Sequence, residues 1–277
     1  MKNSFHSVFI RNTSFIIFSL IIIGINSCGK ENGISDPCKD NSKIRQVKAD
    51  SLIQEEITYT GDCRVYEYIR DFSYKKYSYN TEGQLTKIEE AMMLNPLMCF
   101  IPPASSNETF TDPRKAEITQ YSSFEYDDEG RLTKRLHYFL NNEQFKLVFY
   151  QTFDYENDLI KQLNRYNPQG ELTEKNIYTY DENDNMIRDE YYFKETETSF
   201  VLMQLHEYEF DDKINPYRIF ENEGVPGKYT NPNNIIKSTF IDNSSGEEYR
   251  DITEFSFEYN ASGLPLKLYN LTFIYGE

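Results

Sequence analysis

The sequence predicts an all-β protein, a long antiparallel meander of repeated hairpins that curls into a soluble barrel or a wrapped sheet. Three observations predict this fold. A short aromatic motif recurs along the chain, apolar and polar residues alternate at the two-residue period of strands, and aromatic residues make up 16% of the chain, with 23 Tyr and 20 Phe. No helical period of useful length follows Cys28.

The N-terminus has the composition of an export signal. Lys2 and Arg11 precede an uninterrupted apolar run from Phe15 to Ile25, and two small polar residues follow that run. Basic, apolar and polar regions in this order are typical of a secretory signal peptide. A transmembrane anchor is the alternative, but crossing a bilayer takes roughly 20 apolar residues and this run is shorter. Residues 1–27 are therefore predicted to be a signal peptide that is absent from the mature protein.

The residues that end this signal resemble a lipobox. Ile25-Asn26-Ser27-Cys28 is similar to the cleavage site of bacterial lipoproteins, whose cysteine thiol receives a diacylglyceryl group before the new N-terminus is acylated. The resemblance implies lipid attachment at Cys28 and an outer-membrane lipoprotein that faces the periplasm or the cell surface. Several acyl chains, at roughly 0.8 kcal/mol per buried methylene, make a stable anchor. An unmodified structural Cys28 is the alternative.

The segment after Cys28 has few apolar residues. Residues 29–43 are rich in Gly, Pro, Asn, Asp and Lys. Such a segment buries too little apolar surface to fold alone, so residues 28–50 are predicted to be a flexible tether. Residues 51–277 then form the β-hairpin repeat domain, whose length suits one large all-β domain.

The recurring motif predicts the hairpins. A tyrosine is followed by Asn or Asp and, in most copies, by Gly four positions after the tyrosine. The five copies start at Tyr79, Tyr126, Tyr166, Tyr180 (with Asp184 in the glycine position) and Tyr259, and weaker copies start at Tyr155 and Phe210. Asn and Asp start turns by accepting hydrogen bonds from the backbone just ahead, and Gly supplies a positive φ at the turn exit. Each copy therefore predicts a hairpin turn with a bulge, which places Tyr79 opposite Leu85 and Tyr126 opposite Leu132.

Between the turns, apolar residues keep one parity. They are Phe145, Leu147, Phe149, Phe153 and Tyr155 in one segment, with Gln151 among them, and Tyr249, Phe255, Phe257 and Tyr259 in another. Residues of one parity share a face of a strand. We expect these side chains to face a common core.

The aromatic-Asn/Asp-x-x-Gly-x-Leu unit resembles the tyrosine-aspartate (YD) repeat of Rhs-type proteins. Together with the lipobox, it makes the chain from about Ile53 to its end similar to small YD-repeat lipoproteins of the Bacteroidota, a family of unknown function described with a porin-like fold. The resemblance implies a meander of roughly a dozen or more strands, which curls and so protects its edges. A porin embedded in the membrane is not expected, because charged residues such as Glu125 and Lys175 fall in mid-strand.

Two insertions, residues 95–115 and 221–234, interrupt the repeats. Loops on a rigid scaffold usually carry recognition, so both insertions are candidate binding segments. Aromatic side chains on a concave sheet are a further candidate, since Tyr and Phe stack on sugar rings or enclose apolar ligands. The sequence assigns no individual ligand-binding residue.

Composition and motifs argue against several classes of function. The net charge of −16 argues against nucleic acid and anionic membrane surfaces as partners, because clustered Lys and Arg bind both. The acidic run 181–185 has Met186 where an EF-hand needs Gly and Tyr192 where it needs an acid, so neither a metal nor another cofactor is predicted. His137 and His206 have no neighbouring nucleophile motif. No catalytic residue is assigned, and the chain is not predicted to be an enzyme.

Three further cysteines leave room for one disulfide. Of Cys38, Cys63 and Cys99, at most one pair can form within the chain, and an exported location permits it. Cys38 bonded to Cys63 would join the tether to the first strands, but the pairing stays open.

Three functions compete. The leading hypothesis is a lipid-anchored, non-enzymatic cell-envelope protein with a structural role or a protein or glycan partner, because a lipobox and a tether precede a motif-poor repeat scaffold. The alternative is a lipocalin-like carrier of an apolar small molecule, which requires an interior cavity. The third is a hydrolase with a dispersed active site, which requires His137 or His206 to meet acids in one pocket.

Overall fold

The computed structural model describes residues 43–70, 73–92 and 112–276. All of them belong to one compact unit, Ser35–Glu277. The predicted signal peptide, Cys28, Cys38, Cys99 and most of the first insertion lie outside the described residues. None of the described helices is long and apolar enough to span a membrane.

The described chain is almost entirely β-structure. Two short 3₁₀ helices, Pro113–Lys115 and Pro216–Glu223, interrupt the strands. The strands are β1 Ile44–Ala49, β2 Leu52–Tyr59, β3 Val65–Arg70, β4 Ser73–Tyr79, β5 Leu85–Met92, β6 Gln120–Tyr126, β7 Leu132–Asn141, β8 Gln144–Glu156, β9 Leu159–Tyr166, β10 Leu172–Tyr180, β11 Met186–Lys194, β12 Phe200–Ile214, β13 Asn233–Asp242, β14 Tyr249–Glu254, β15 Phe257–Tyr259, β16 Pro265–Leu268 and β17 Leu271–Tyr275.

These strands form one 17-stranded antiparallel sheet in which each strand, except β14 and β15 with one another, pairs with its neighbours in sequence. The last strand, β17, also pairs with β1, with Phe273 opposite Val47, so the two ends of the described chain meet. The ladder is interrupted between β14 and β15, because β14 pairs with β13 and β15 pairs with β16. We call residues 254–257 at this interruption the seam. The predicted all-β meander is confirmed, and it takes the form of a wrapped sheet.

The sheet begins earlier than the sequence predicts. Strand β1 lies within residues 28–50, which composition assigns to the tether. Ile44 and Val47 are fully buried there, because β1 is covered by β17 on one edge and by β2 on the other. Two isolated apolar residues in a polar segment are too weak a pattern to predict a strand.

The turns form as the motif predicts. In the β4–β5 turn, Asn80 Oδ1 accepts hydrogen bonds from the backbone N–H groups of Glu82 (3.1 Å) and Gln84 (2.9 Å), and Gly83 has a φ of 90°. The register shifts at Tyr79, which pairs with Leu85. The predicted turn chemistry, the bulge and the Tyr–Leu pair are confirmed in this hairpin, and the Tyr126–Leu132 pair forms in the same way.

The β2–β3 hairpin contains a copy of the motif that the sequence reasoning missed. Its turn follows Tyr59, and Cys63 occupies the glycine position with a φ of 71°. Thr60 replaces Asn or Asp, and its hydroxyl accepts a hydrogen bond from Arg64 N at 3.1 Å. The spacing from Tyr59 to Val65 matches the motif. The copy is not recognised in the sequence because Thr60 and Cys63 occupy the positions where the motif has Asn or Asp and Gly.

Tyrosine hydroxyls connect successive hairpins along one rim of the sheet. In an antiparallel meander alternate connections lie at opposite rims, so the turns after β2, β4, β6, β8, β10 and β15 share what we call the tyrosine rim. Each of six rim tyrosines donates its hydroxyl to a backbone carbonyl at or near the start of the preceding strand. The donors and acceptors of this tyrosine ladder are Tyr59 and Ile44 (2.6 Å), Tyr79 and Val65 (2.8 Å), Tyr126 and Leu85 (2.9 Å), Tyr155 and Leu132 (2.9 Å), Tyr180 and Ile160 (2.8 Å), and Tyr275 and Pro265 (2.8 Å).

Tyr166 belongs to the opposite rim, although its sequence matches the motif. It ends β9, and its turn lies between β9 and β10. Its hydroxyl forms no hydrogen bond within the described part of the chain, and its ring stacks on Tyr150 with centroids 4.9 Å apart. The motif therefore makes turns at both rims but builds the ladder at only one.

The interior of the wrapped sheet is filled by a plug, residues 215–232, which connects β12 to β13. Tyr217 and Phe220 of the plug belong to the same buried apolar cluster as Tyr68, Tyr77 and residues of many other strands. Phe220 stacks against Tyr68 at 4.8 Å between ring centroids. The second predicted insertion, 221–234, thus folds inward over most of its length.

The predicted parity of β8 is broken by a bulge. His137 pairs with Phe149, whereas the next residue, Tyr138, pairs with Leu147. Paired residues share a face and successive residues of a strand alternate, so Leu147 and Phe149 lie on opposite faces. Phe153 is buried in the core, but Phe145 shares the outer face of Leu147 and is 39% exposed. The expectation of a single core-facing parity was wrong for this half of the strand.

Candidate functional site

A cavity of about 300 Å³ lies between the plug and the strands that flank the seam. We call it the seam cavity. Its apolar wall consists of Ile235, Phe255, Phe257, Leu268, Leu271 and Phe273. Its polar end consists of Glu55, Arg70, Tyr217 and Lys228. The remaining lining residues are Tyr208, Asn215, Pro216, Asn234, Ser238 and Pro265. An apolar cavity with a few converging polar groups is the usual form of a small-molecule site.

The carboxylate of Glu55 is fully engaged at the polar end. Its Oε2 accepts a hydrogen bond from the Tyr217 hydroxyl at 2.9 Å, and its Oε1 lies 3.8 Å from Arg70 Nε. Glu55 is 7% exposed. Buried carboxylates need such partners, because desolvation of an unpaired charge is costly. The charges of Glu55 and Arg70 therefore offset one another.

Lys228 has no such partner. Its Nζ lies 3.5 Å from the ring centroid of Tyr217 and 5.8 Å from that of Tyr229. No described carboxylate comes within ion-pair distance of it. Lys228 is an exposed residue by its accessible surface, yet the protein atoms around its ammonium desolvate the charge and lower its pKa to about 8. The lysine is thus cationic at neutral pH and held against aromatic faces.

Three hydrogen bonds and one ion pair hold the plug in position around this site. Asn215 Nδ2 donates to the carbonyls of Lys228 (2.6 Å) and Asn231 (2.8 Å), which fixes the loop that carries the lysine. Tyr77 donates its hydroxyl to Glu223 Oε1 at 2.6 Å, and Lys75 Nζ lies 3.5 Å from Glu223 Oε2. The contacts of Glu223 join the plug to β4, and the hydrogen bond between Tyr217 and Glu55 joins it to β2. The plug is therefore anchored to the sheet at more than one place.

A second, polar cavity of about 170 Å³ lies against β5, β6 and β7. Ser122 Oγ and His137 Nδ1 are 3.0 Å apart, and His137 Nε2 is 3.0 Å from Gln151 Oε1. Glu90 and Arg135 also line this cavity. A serine, a histidine and an acid thus share one pocket, as the hydrolase hypothesis requires, although the group that orients His137 is an amide rather than a carboxylate.

The environment of His137 makes it a weak base. Burial, followed by the charge of Arg135, lowers the pKa of the imidazole to about 3. A catalytic base works best with a pKa near the operating pH. The hydrogen bond between Ser122 and His137 satisfies the buried serine hydroxyl, and this structural role explains the pair without catalysis.

The other predicted candidates do not converge with either cavity. His206 pairs with Asp189 across β11 and β12, and it forms no hydrogen bond within the described residues. Residues 181–185 form the β10–β11 turn, in which Asp181 Oδ1 accepts from the backbone of Asn183 and Asn185 at 2.9 Å. Among the described residues, no three His, Cys, Asp or Glu side chains are grouped to hold a metal ion.

Cys63 is disulfide-bonded, and its partner lies outside the described residues. The choice between Cys38 and Cys99 is therefore still a prediction. The first insertion and Cys28 also fall outside the described residues, except for residues 112–115.

The sequence reasoning missed the residues of the seam cavity. Glu55 and Arg70 lie in strands, where charged residues are ordinarily expected on the solvent side. Lys228 lies between Gly227 and Tyr229 in a turn-rich insertion, a context that normally indicates an exposed lysine. Only Glu55 is buried, and no local pattern in the sequence shows that these three side chains line one cavity.

Comparison with known proteins finds resemblance only among solved structures. No protein-family profile matches the chain, and no curated protein matches it. A porin-like protein from Bacteroides vulgatus is 10% identical with a TM-score of 0.48, and the match covers 84% of this chain and 99% of that one. A porin-like protein from Bacteroides uniformis is 13% identical with a TM-score of 0.36, covering 80% and 88%. A protein of unknown function from Bacteroides fragilis is 14% identical with a TM-score of 0.33, covering 49% and 91%. We base no functional conclusion on likenesses this distant.

Proposed function

We propose that this protein is a non-enzymatic, lipid-tethered protein of the cell envelope that binds a small, largely apolar ligand in the seam cavity. The observation that carries the proposal is the cavity itself, about 300 Å³ of space left beside an otherwise packed core. The tether and the lipid at Cys28 follow from the lipobox resemblance. This function corresponds to the carrier alternative, and the seam cavity supports it.

The composition of the cavity supports a small ligand over a polymer. Six apolar side chains line it, and its volume lies at the lower end of the range for small-molecule sites. Of the six residues of the apolar wall, five belong to β16, β17 and the seam, where the ladder is interrupted. A glycan or protein chain would need a longer groove with more hydrogen-bonding groups than this wall offers.

Binding of a neutral aromatic probe tests the proposal. We expect 2-naphthamide to bind the purified protein in a saturable one-to-one complex, measured by calorimetry. Ser238→Phe, which places a ring in the cavity, should abolish binding, whereas the exposed-turn variant Ser244→Phe should bind normally. Failure of the wild-type protein to bind both 2-naphthamide and its carboxylate analogue 2-naphthoate would contradict the proposed function.

An outer aromatic cluster favours a second candidate function, recognition of a glycan or protein. Tyr121 and Tyr138 stack with ring centroids 4.5 Å apart, and Phe145 meets Tyr121 edge-on at 5.0 Å. The register places Tyr138 on the face opposite the interior His137. If this surface is the functional one, Tyr138→Ala should abolish retention on a glycan array or partner column and leave 2-naphthamide binding unchanged.

The serine–histidine pair defines the test of the hydrolase hypothesis. We expect p-nitrophenyl acetate to be cleaved at the same background rate by the wild type and by Ser122→Ala, because the weakly basic His137 cannot activate the hydroxyl efficiently. Turnover that disappears in Ser122→Ala, in a variant that still melts cooperatively, would replace the non-enzymatic proposal by an enzymatic one.

A further inference from the structure

We propose that the ligand of the seam cavity carries one anionic group, a carboxylate on an apolar body, and that Lys228 recognises this group. This inference rests on the proposed function and names the ligand class for the same cavity. The observation behind it is a cation at the polar end of an apolar cavity, with no described carboxylate in reach.

The charge balance of the cavity favours an anion. Glu55 pairs with Tyr217 through one oxygen and with Arg70 through the other, and it forms no ion pair with Lys228, although its charge partly opposes the lowering of the Lys228 pKa. The cavity lining then contains one negative and two positive side chains. A single ligand carboxylate would neutralise the remaining charge and give the ammonium a charge-assisted hydrogen bond.

The position of the lysine sets the shape of the ligand. Lys228 Nζ is held over the ring of Tyr217, at the end of the cavity that the plug forms. Phe257, Leu271 and Phe273 also line the cavity, and the Phe273 ring lies edge-on to that of Tyr217 at 6.3 Å. A ligand that fills the cavity therefore places its charge at Lys228 and an apolar body, aromatic or aliphatic, against these side chains.

Desolvation disfavours the charged form of Lys228 in the unliganded protein. Burial lowers the pKa of the ammonium, and the faces of Tyr217 and Tyr229 compensate only in part. A residue kept charged at a cost to the fold is typical of a functional site.

The test compares 2-naphthoate with 2-naphthamide, which have nearly the same shape and differ in charge. At pH 7 we expect the wild type to bind 2-naphthoate at least tenfold more tightly than 2-naphthamide by calorimetry. Lys228→Met should remove this preference and leave 2-naphthamide affinity within about threefold. Lys228→Arg should retain the preference, and Lys161→Met, at an exposed lysine of the tyrosine rim, should behave as the wild type.

The outcomes separate this inference from the function on which it rests. Equal affinity for both probes in the wild type overturns the anion inference and leaves small-molecule binding intact. A preference that survives in Lys228→Met shows that another group recognises the charge and also overturns it. Failure of both probes to bind overturns the inference together with the proposed function.

Discussion

The ladder tyrosines that precede a turn have two structural roles at the level of single residues, whereas the motif tyrosines Tyr166 and Tyr259 have only the first. The ring pairs across the hairpin with a residue at or near the start of the next strand, as Tyr126 does with Leu132. The hydroxyl reaches the preceding hairpin and donates to a backbone carbonyl, as Tyr126 does to Leu85 at 2.9 Å. This second bond explains why the chain uses tyrosine rather than phenylalanine at the tyrosine rim.

Tyr126→Phe tests the ladder. Removing the hydroxyl leaves the Leu85 carbonyl, in a residue that is 1% exposed, without this donor. We expect a loss of about 1–2 kcal/mol in the free energy of unfolding, measured by urea denaturation. Tyr166→Phe is the matched control, because that hydroxyl has no described partner, and it should change stability by less than about 0.5 kcal/mol. Equal losses in both variants would mean that the ladder bonds contribute nothing specific.

The affinity for 2-naphthoate should depend on pH through Lys228. In the free protein the pKa of its ammonium is lowered to about 8 by burial, and a bound carboxylate would raise it. Affinity should therefore be constant below pH 8 and fall above it by up to about tenfold per pH unit. The other groups that face the lysine are Glu55 from β2, Arg70 from β3, and Tyr217 and Tyr229 from the plug. Burial raises the pKa of both tyrosines, so they stay neutral in this range.

The controls for this titration are 2-naphthamide and Lys228→Met. The neutral probe should bind equally well on both sides of pH 8, and the variant should show a flat profile for either probe. A fall in 2-naphthoate affinity that persists in Lys228→Met would assign the titration to a different group.

The plug is the element on which the interior depends. It passes close to β7 at Gly224, where the chain has a φ of 75°. A Cβ at this position would overlap Leu132 Cδ2, a buried core residue. Glycine is thus required here both for the backbone conformation and for the close approach.

Gly224→Ala should destabilise the protein by about 2–4 kcal/mol, because strain at positive φ adds to overpacking against Leu132. Gly246→Ala separates the two effects. Gly246 has a φ of 83°, but an added Cβ there meets nothing within 4 Å, so only the backbone cost of about 1 kcal/mol remains. Urea unfolding of both variants gives the packing contribution as the difference. If the two variants lose the same stability, the plug does not pack tightly on β7.

At the scale of the whole molecule, the sheet is held together where its ends meet. Phe273 of β17 is 4% exposed and belongs to the same core cluster as Val47 of β1 and Tyr217 of the plug. The last strand therefore joins the first strand to the plug. Because one core connects these parts, we expect the described domain to unfold in a single transition.

Phe273→Ala should lower the free energy of unfolding by about 3–5 kcal/mol and keep a single transition when circular dichroism and tyrosine fluorescence are followed together. Ile252→Ala, at a residue of β14 that is 54% exposed, should stay within about 0.5 kcal/mol of the wild type. Two separated transitions in Phe273→Ala would show instead that β17 and β1 detach from a core that is stable without them.

The sequence predicts the hairpins well because their causes are local. Asn80 and Gly83 act on backbone groups within the same turn, so a motif five residues long is enough to identify it. The β8 strand shows where such reasoning fails. Nothing in the alternation between Phe145 and Tyr155 reveals the bulge that moves Leu147 to the outer face, because the bulge depends on the register with β7.

The residue pattern was enough for the fold class and the turns, because both rest on interactions between residues a few positions apart. The candidate site follows from contacts that no such pattern contains. Tyr217 and Glu55, which form a hydrogen bond, are 162 residues apart in sequence, and this contact ties the plug to β2. Folding of the plug into the wrapped sheet creates the seam cavity and places Lys228 at its end, since burial and charge balance are properties of the assembled interior.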